Sequence, residues 1–262
     1  MEDIDSLKQY KGYLLDLDGT MYRGQEPINS AVTFVQKLAQ NEIPYMFVTN
    51  NSSQTPTEVV QKLTSMNIPA TAEQVMTSSI ATAKYISDLD EHARCYVIGE
   101  SGLTTALEAE GLTITHKNSE YVVTGIDRDI NYEKLTKASL LIRAGANFIS
   151  TNSDKAIPTE RGLVPGNGAL TSVVAVSTGV KPTFIGKPEK IIMDQALKLL
   201  GLAKNEVIMV GDNYDTDIMA GIQSNIDTLM VFTGVTPMSA YESLKIKPTY
   251  GIKNLSEWIN NI

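Results

Sequence analysis

The sequence is poor in the residues that most often carry soft-metal and redox chemistry, with one cysteine and two histidines in 262 positions. A lone Cys95 cannot close an internal disulfide, and its apolar setting in Cys95-Tyr96-Val97-Ile98 predicts a buried structural thiol, as expected in a reducing compartment. His92 and His116 lie far apart and beside no other candidate metal ligand, so neither zinc nor phosphohistidine chemistry is suggested. Positive charge is also short: 22 Lys and Arg stand against 30 Asp and Glu, a net charge of −8. That balance excludes a broad nucleic-acid surface, where binding rests on phosphate neutralisation by Lys and Arg. No apolar run approaches the roughly 20 residues that span a bilayer, so no membrane segment is expected. The acidic opening Met1-Glu2-Asp3-Ile4-Asp5 has neither the basic nor the apolar region of a secretory signal, and the expected location is the cytoplasm. Tandem repeats, low-complexity tracts and charged tails are absent as well.

What is present is a regular alternation of short apolar runs and amphipathic stretches. Gly12 to Asp16 reads as a buried strand. Ser30 then caps a helix whose buried face is Ala31, Phe34, Val35 and Leu38. Tyr45 to Val48 is the next strand, and Thr55-Pro56-Thr57-Glu58 combines a capping box with proline at the first helical position, followed by Val59, Val60, Leu63 and Met66. The alternation continues through Arg94–Gly99, Leu103–Glu110, Tyr121–Ile126, Tyr132–Ala144 and Phe148–Thr151, and past residue 183. Parallel strands need crossovers and the crossovers cover the sheet, so the pattern predicts an α/β fold with a doubly wound parallel sheet, whose ligands gather at the carboxyl ends of strands. The final Leu255, Trp258, Ile259 and Ile262 have helical spacing and are expected to pack on the core.

Four polar clusters follow predicted strands. In Asp16-Leu17-Asp18-Gly19-Thr20, two positions of extended chain set the two carboxylates on one side, about 6 to 7 Å apart along the backbone. Gly19 permits a tight turn, and Thr20 can bond back to the loop. Thr49-Asn50-Asn51-Ser52 is a run of small hydrogen-bonding side chains, which also suits plain turn and cap formation. Phe184-Ile185-Gly186-Lys187-Pro188-Glu189 delivers a lysine just before a helix expected to open at the proline and to bury Ile191, Ile192, Ala196 and Leu199. Glu206 to Val210 runs into Gly211-Asp212-Asn213-Tyr214-Asp215-Thr216-Asp217, where three carboxylates crowd one strand end and Asp217 or Thr216 can cap the following helix.

In this order, the four clusters resemble the signature motifs of the haloacid dehalogenase superfamily. The α/β insert between the second and third resembles the NagD-type, class IIA branch with its C2a cap, as does Thr151-Asn152-Ser153-Asp154 followed by Pro165-Gly166-Asn167-Gly168. The resemblance implies a Rossmann-like catalytic core over residues 1–79 and 183–262 and an inserted cap over 80–182. It implies a magnesium-dependent phosphoric monoester hydrolase in which Asp16 is the nucleophile and Asp18 the general acid and base. Thr49 and Lys187 would bind the phosphoryl oxygens, helped by backbone N–H groups near Leu17 and Asn50. Asp16, the Asp18 main-chain carbonyl and Asp212 would hold the Mg2+, with Asp217 acting through water or by orienting the ligands, while Asp215 has no assigned place. Asn152 and Asp154 are the cap candidates for substrate contact. The Asp18 carboxyl must titrate high to donate a proton, and mutual repulsion among carboxylates is the expected cause.

The implied substrate is a small phosphorylated metabolite: a sugar or acid-sugar phosphate, phosphoglycolate, a nucleoside monophosphate, or 4-nitrophenyl phosphate as a surrogate. A homo-oligomer formed through the cap is compatible with this branch. Two rivals carry similar residues. A dehalogenase shares the attacking aspartate, but a halide leaves without the proton that Asp18 supplies; a phosphate-accepting signalling module shares the acidic, hydroxyl and lysine set, but lacks a cap-sized insert and a counterpart of Asp18.

Overall fold

The computed structural model describes residues 8–262, so the acidic opening at residues 1–5 lies outside the described residues. Its internal contacts divide the chain into two compact units: the chain up to Val48 with Val60–Val75 and Ala196–Ile262, and Thr49–Val59 with Met76–Gln195. Among the described residues, no helix is long and apolar enough to cross a membrane.

The first unit is built on a six-stranded sheet in the spatial order Tyr250–Ile252, Asp227–Val231, Val207–Gly211, Gly12–Leu15, Tyr45–Thr49, Val75–Thr77. Gly12–Leu15 pairs in parallel with Val207–Gly211 on one side and Tyr45–Thr49 on the other, bringing Leu15 level with Val210 and Phe47. The first strand in sequence is therefore central, with later strands added outward in both directions. This doubly wound order opens a crevice beside the first strand, at its carboxyl end. All four residues of Gly12–Leu15 and all five of Val207–Gly211 are buried, as continuous apolar runs in a covered parallel sheet should be.

The helix Asn29–Gln40 buries the expected Ala31, Phe34, Val35 and Leu38, and Phe34 meets the Tyr13 ring edge-on at 5.3 Å. Ser30 is not its cap. The amides of Ala31 and Val32 donate to the Ile28 carbonyl, so Ile28 is the cap, the helix begins two residues earlier than a Ser30 cap would set it, and Ser30 sits inside the first turn. Near the C-terminus, Leu255 and Trp258 are buried, and the indole N–H reaches the Tyr13 hydroxyl at 3.3 Å.

The capping box of Pro56–Ser65 is formed: the Thr55 amide donates to Glu58 Oε2 at 2.7 Å, and the Glu58 amide returns a bond to Thr55 Oγ1 at 3.4 Å. Lys190–Leu200 differs from expectation at both ends. A turn closed by the Glu189 amide on the Gly186 carbonyl separates Pro188 from the helix, so the proline does not open it. Its buried stripe is Ile192, Met193, Ala196 and Leu197. At about 100° per residue, Leu199 is turned roughly 90° from the centre of that stripe and stands 50% exposed.

The second unit has its own parallel sheet in the order Thr183–Phe184, Asn147–Ser150, Tyr121–Thr124, Arg94–Ile98, Thr113–Ile114. An antiparallel hairpin, Ala156–Thr159 with Gly162–Pro165, follows its Asn147–Ser150 strand. Tyr96, Ile98, Val122 and Phe148 from the sheet pack with Ala138 and Ile142 of the helix Tyr132–Arg143 and Val174 of the helix Asn167–Thr178. Cys95 is buried in this sheet, and burial pushes its thiol up to about 12, which leaves it unreactive. His92 and His116 are both exposed.

Candidate active site

Asp16, Asp212 and Asp217 come together at the carboxyl ends of the two central strands of the first unit. All three are buried, and one carboxylate oxygen from each lies within 4.8 Å of the others. Asp16 follows Gly12–Leu15, and its amide donates to the Val210 carbonyl at 2.9 Å, continuing the ladder with the neighbouring strand. Asp212 follows Val207–Gly211. Two parallel strands in fixed register thus carry two carboxylates to the same end of the sheet, Asp212 one residue beyond the level of Asp16.

The Thr20 hydroxyl lies 2.9 Å from Asp212 Oδ1 and 3.3 Å from Asp16 Oδ2, so its single proton serves the two carboxylates in turn. Asp212 Oδ2 accepts the Val235 amide at 2.6 Å. Asp217 Oδ2 accepts the Asn213 amide at 3.0 Å, and its Oδ1 accepts the Thr216 hydroxyl at 3.3 Å. Neither Thr216 nor Asp217 caps the following helix. The segment enters a π-helical turn at Tyr214–Ile218 before Met219–Ser224, and the side chain at its start is Asn213, whose Oδ1 accepts the Asp215 amide. Asp215 is exposed and outside the carboxylate cluster.

Two glycines let the backbone approach these carboxylates. Gly19 has φ +91°, and a Cβ there would stand 2.4 Å from Asp212 Oδ2; a Cβ on Gly234 would stand 2.0 Å from the same atom.

The Asp18 side chain lies outside the triad and retains exposure to solvent. Its carboxyl titrates above the ordinary aspartate value, chiefly through partial desolvation, against the lowering effects of Lys62 and of the Gly24 amide. Desolvation, rather than the expected repulsion between carboxylates, is the main cause. Lys62 sits 3.8 Å from the centroid of the buried Tyr22 ring.

The remaining predicted site residues belong to the second unit, where three loops converge. Thr49 is buried and its Oγ1 accepts the Asn51 amide at 3.1 Å. Asn50 Nδ2 donates to the Lys187 carbonyl at 2.9 Å and to the Asp154 carboxylate at 3.1 and 3.3 Å. Asn152 Nδ2 reaches Asp154 Oδ2 at 2.7 Å. Lys187 is buried.

Sequence reasoning missed the loop after Asp227–Val231. Thr233 Oγ1 donates to the Gly19 carbonyl, Val235 N–H binds Asp212, and Thr236 Oγ1 accepts the Tyr214 amide. Thr233-Gly234-Val235-Thr236 carries the same signal as Thr49–Ser52, small hydrogen-bonding residues just past an apolar strand. Lys62 offered no comparable signal, because only the fold brings it toward Asp18.

Buried carboxylates at the carboxyl ends of strands in a doubly wound parallel sheet mark where a ligand binds, and the matching families give the class as hydrolase. A model described as haloacid dehalogenase-like hydrolase matches residues 13–113, and one described as HAD-hydrolase-like matches 184–258. The chain belongs to the haloacid dehalogenase-like hydrolases. It is 58% identical over 253 residues to the 5'-nucleotidase YutF of Bacillus subtilis, covering 97% of this chain and 99% of that protein. It is 55% identical over 260 residues to an acid sugar phosphatase of Staphylococcus haemolyticus, covering 98% of each. The solved p-nitrophenyl phosphatase of Archaeoglobus fulgidus is similar at 32% identity with a TM-score of 0.92, over 97% of this chain and 100% of that one. Within the family this places the chain among the NagD-type phosphatases, as phosphoric monoester hydrolases.

Proposed function

We propose that this chain hydrolyses small phosphomonoesters in a magnesium-dependent reaction in which Asp16 accepts the phosphoryl group. The observation that carries the reading is the buried convergence of Asp16, Asp212 and Asp217. Three carboxylates in so small a buried space repel one another, and an all-oxygen donor set suits a hard cation that keeps some of its waters. The residues therefore fit magnesium. Asp16, the Asp18 main-chain carbonyl and Asp212 would hold it. Asp217 serves through water or by orienting its neighbours, a role supported by the two hydrogen bonds its oxygens already accept. When bound, the ion offsets the carboxylate charge and polarises the phosphoryl oxygens.

The chain's own residues divide the reaction into two displacements. An Asp16 oxygen attacks phosphorus while the bond to the leaving oxygen breaks, and Asp18 gives that oxygen its proton. As a carboxylate, Asp18 then takes a proton from water, whose oxygen attacks the aspartyl-phosphate; the Asp16–phosphorus bond breaks and inorganic phosphate leaves. The upward shift of the Asp18 carboxyl supports the first of its two roles. By motif, Thr49 and Lys187 take the phosphoryl oxygens, with the amides near Leu17 and Asn50. Residues 1–79 and 183–262 serve as the catalytic core, and 80–182 as the cap that reads the leaving group.

The relatives are named for nucleotide, acid-sugar and nitrophenyl substrates, three leaving groups with phosphate in common. That supports a small phosphorylated metabolite as substrate, with sugar or acid-sugar phosphates, phosphoglycolate and nucleoside monophosphates in range. It also favours phosphate release over dehalogenation or stable phosphate acceptance. A lone cysteine, which closes no internal disulfide, suits a cytoplasmic location. A second copy meeting this chain through the cap is part of the proposal, supported by Leu140, Val173 and Val176, which expose apolar surface on Tyr132–Arg143 and Asn167–Thr178.

The test is a panel of phosphomonoesters compared by kcat/KM with and without magnesium. Phosphate release with magnesium is expected across several leaving groups. A phosphorylated protein that persists without releasing phosphate would sink the reading.

A further inference from the structure

Asp154 was expected to contact substrate, but its surroundings describe another task. Its two oxygens take the side-chain amides of Asn50, at 3.1 and 3.3 Å, and of Asn152, at 2.7 Å. The Asn50 amide has two protons and two acceptors, Asp154 and the Lys187 carbonyl at 2.9 Å. Its orientation is fixed by charge: turned over, its oxygen would face a carboxylate and a carbonyl, both acceptors. Asn50 Oδ1 accordingly has no hydrogen-bond partner among the described residues, a cost accepted to keep the amide on the other side.

The segment carrying Asp154 is itself held from behind. Asn167, buried at the start of Asn167–Thr178, donates through Nδ2 to Ser150 Oγ at 3.0 Å, Thr151 Oγ1 at 3.1 Å and the Asn152 carbonyl at 2.9 Å. Gly186 closes the arrangement. Its amide donates to the Thr151 carbonyl at 2.8 Å, and a Cβ there would stand 2.6 Å from Asn50 Oδ1 and 2.7 Å from the Thr151 carbonyl oxygen. Three loops far apart in sequence are thus laced through one carboxylate.

We infer that Asp154 is a positioning residue: by gathering Asn50 and Asn152 it fixes the main chain of Lys187 and the loop of Thr49 and Asn50, and it does not read the leaving group. The inference rests on the proposed function for its kinetic consequence, while its structural consequence can be measured apart from turnover. In Asp154→Asn only one acceptor oxygen remains; with that oxygen on the side that keeps the 2.7 Å bond from Asn152, the new NH2 faces the Asn50 amide where the 3.1 Å bond had been, so Asn50 loses the shorter of its two contacts. The expected result is a fall in kcat of about 10- to 100-fold, the range for loosening a group that orients others. That fall should be the same for nitrophenyl, sugar and nucleotide esters, with KM within about threefold of wild type. In 15N spectra, the Asn50 side-chain amide should move and lose protection from exchange, whereas in the wild-type protein it exchanges more slowly than that of the exposed Asn118.

A KM that rises by amounts depending on the leaving group, with kcat kept, would make Asp154 a substrate contact and overturn the inference. An Asn50 amide unprotected in the wild type, or unchanged in Asp154→Asn, would overturn it too. If the wild-type protein hydrolyses no phosphomonoester, the proposed function fails, and the amide measurements still decide the role of Asp154.

Discussion

Replacing Gly234 by alanine tests whether the carboxylate triad must be held at its observed spacing. The added Cβ would stand 2.0 Å from Asp212 Oδ2, 2.5 Å from Asp212 Cγ and 2.7 Å from Gly19 Cα, where ordinary contact begins at 3.4 Å. Relief requires a movement of roughly 1 Å or more by Asp212 or by the loop at 233–236. Asp212 has little freedom to take it up. It is fully buried and held by the Val235 amide at 2.6 Å and the Thr20 hydroxyl at 2.9 Å, so any swing breaks one of these bonds. A misplacement of about 1 Å at a reacting centre costs on the order of 10²-fold in rate, or about 2.7 kcal/mol of transition-state stabilisation. Overpacking of this kind also costs about 1 to 3 kcal/mol of stability, which for a chain of this size lowers Tm by roughly 2 to 12 °C. The assay is phosphate release at saturating substrate across a magnesium titration, with circular dichroism to follow the fold. Gly234→Ala should keep its native spectrum, lose kcat about 10²-fold and need more magnesium. An alanine variant with kcat within threefold of wild type and an unaltered magnesium requirement would refute the reasoning.

Three other outcomes are expected. Asp16→Asn should lower phosphate release on the order of 10⁴-fold or more while leaving the fold intact, as loss of a nucleophile does; substantial magnesium-dependent turnover in that variant would remove Asp16 from its role. Magnesium should raise the Tm of the wild-type protein, by the equivalent of about 2.7 kcal/mol at a hundredfold excess over Kd, and Asp212→Ala should abolish that rise; equal shifts in both proteins would place the ion elsewhere. Glu58→Ala should destabilise by about 1 kcal/mol in urea denaturation, since the Thr55 amide and hydroxyl both bind the Glu58 carboxylate. Those two bonds hold the Glu58 carboxyl below its ordinary value, so its contribution is complete above the unfolded glutamate pKa of about 4.3 and fades as pH falls through the lowered folded value. A wild-type advantage that grows on acidification would contradict that assignment.

The alternation of buried strands and amphipathic helices was legible because the signals are local. A run such as Val207 to Gly211 can only be buried on both faces, and Thr55 with Glu58 forms its box within four residues. For the same reason the placing of the four polar clusters at strand ends is legible in the sequence. Predictions failed where a boundary hangs on a single hydrogen bond, as at Ser30, or on the phase of a helical stripe, as at Leu199.

The sequence alone determined which side chains were candidates for the chemistry and which strands deliver them, since residue type and period are written along the chain. Distance between segments is not. Only the tertiary structure brought Asp16 and Asp212, 196 positions apart in sequence with Thr20 and Gly234 around them, into one buried cluster by pairing two strands in register. It alone assigned the raised titration of Asp18 chiefly to desolvation, and turned Asp154 toward Asn50 and Asn152. Burial and hydrogen-bond partnership are set by which surfaces meet, and for segments this far apart the meeting is made by the packed fold.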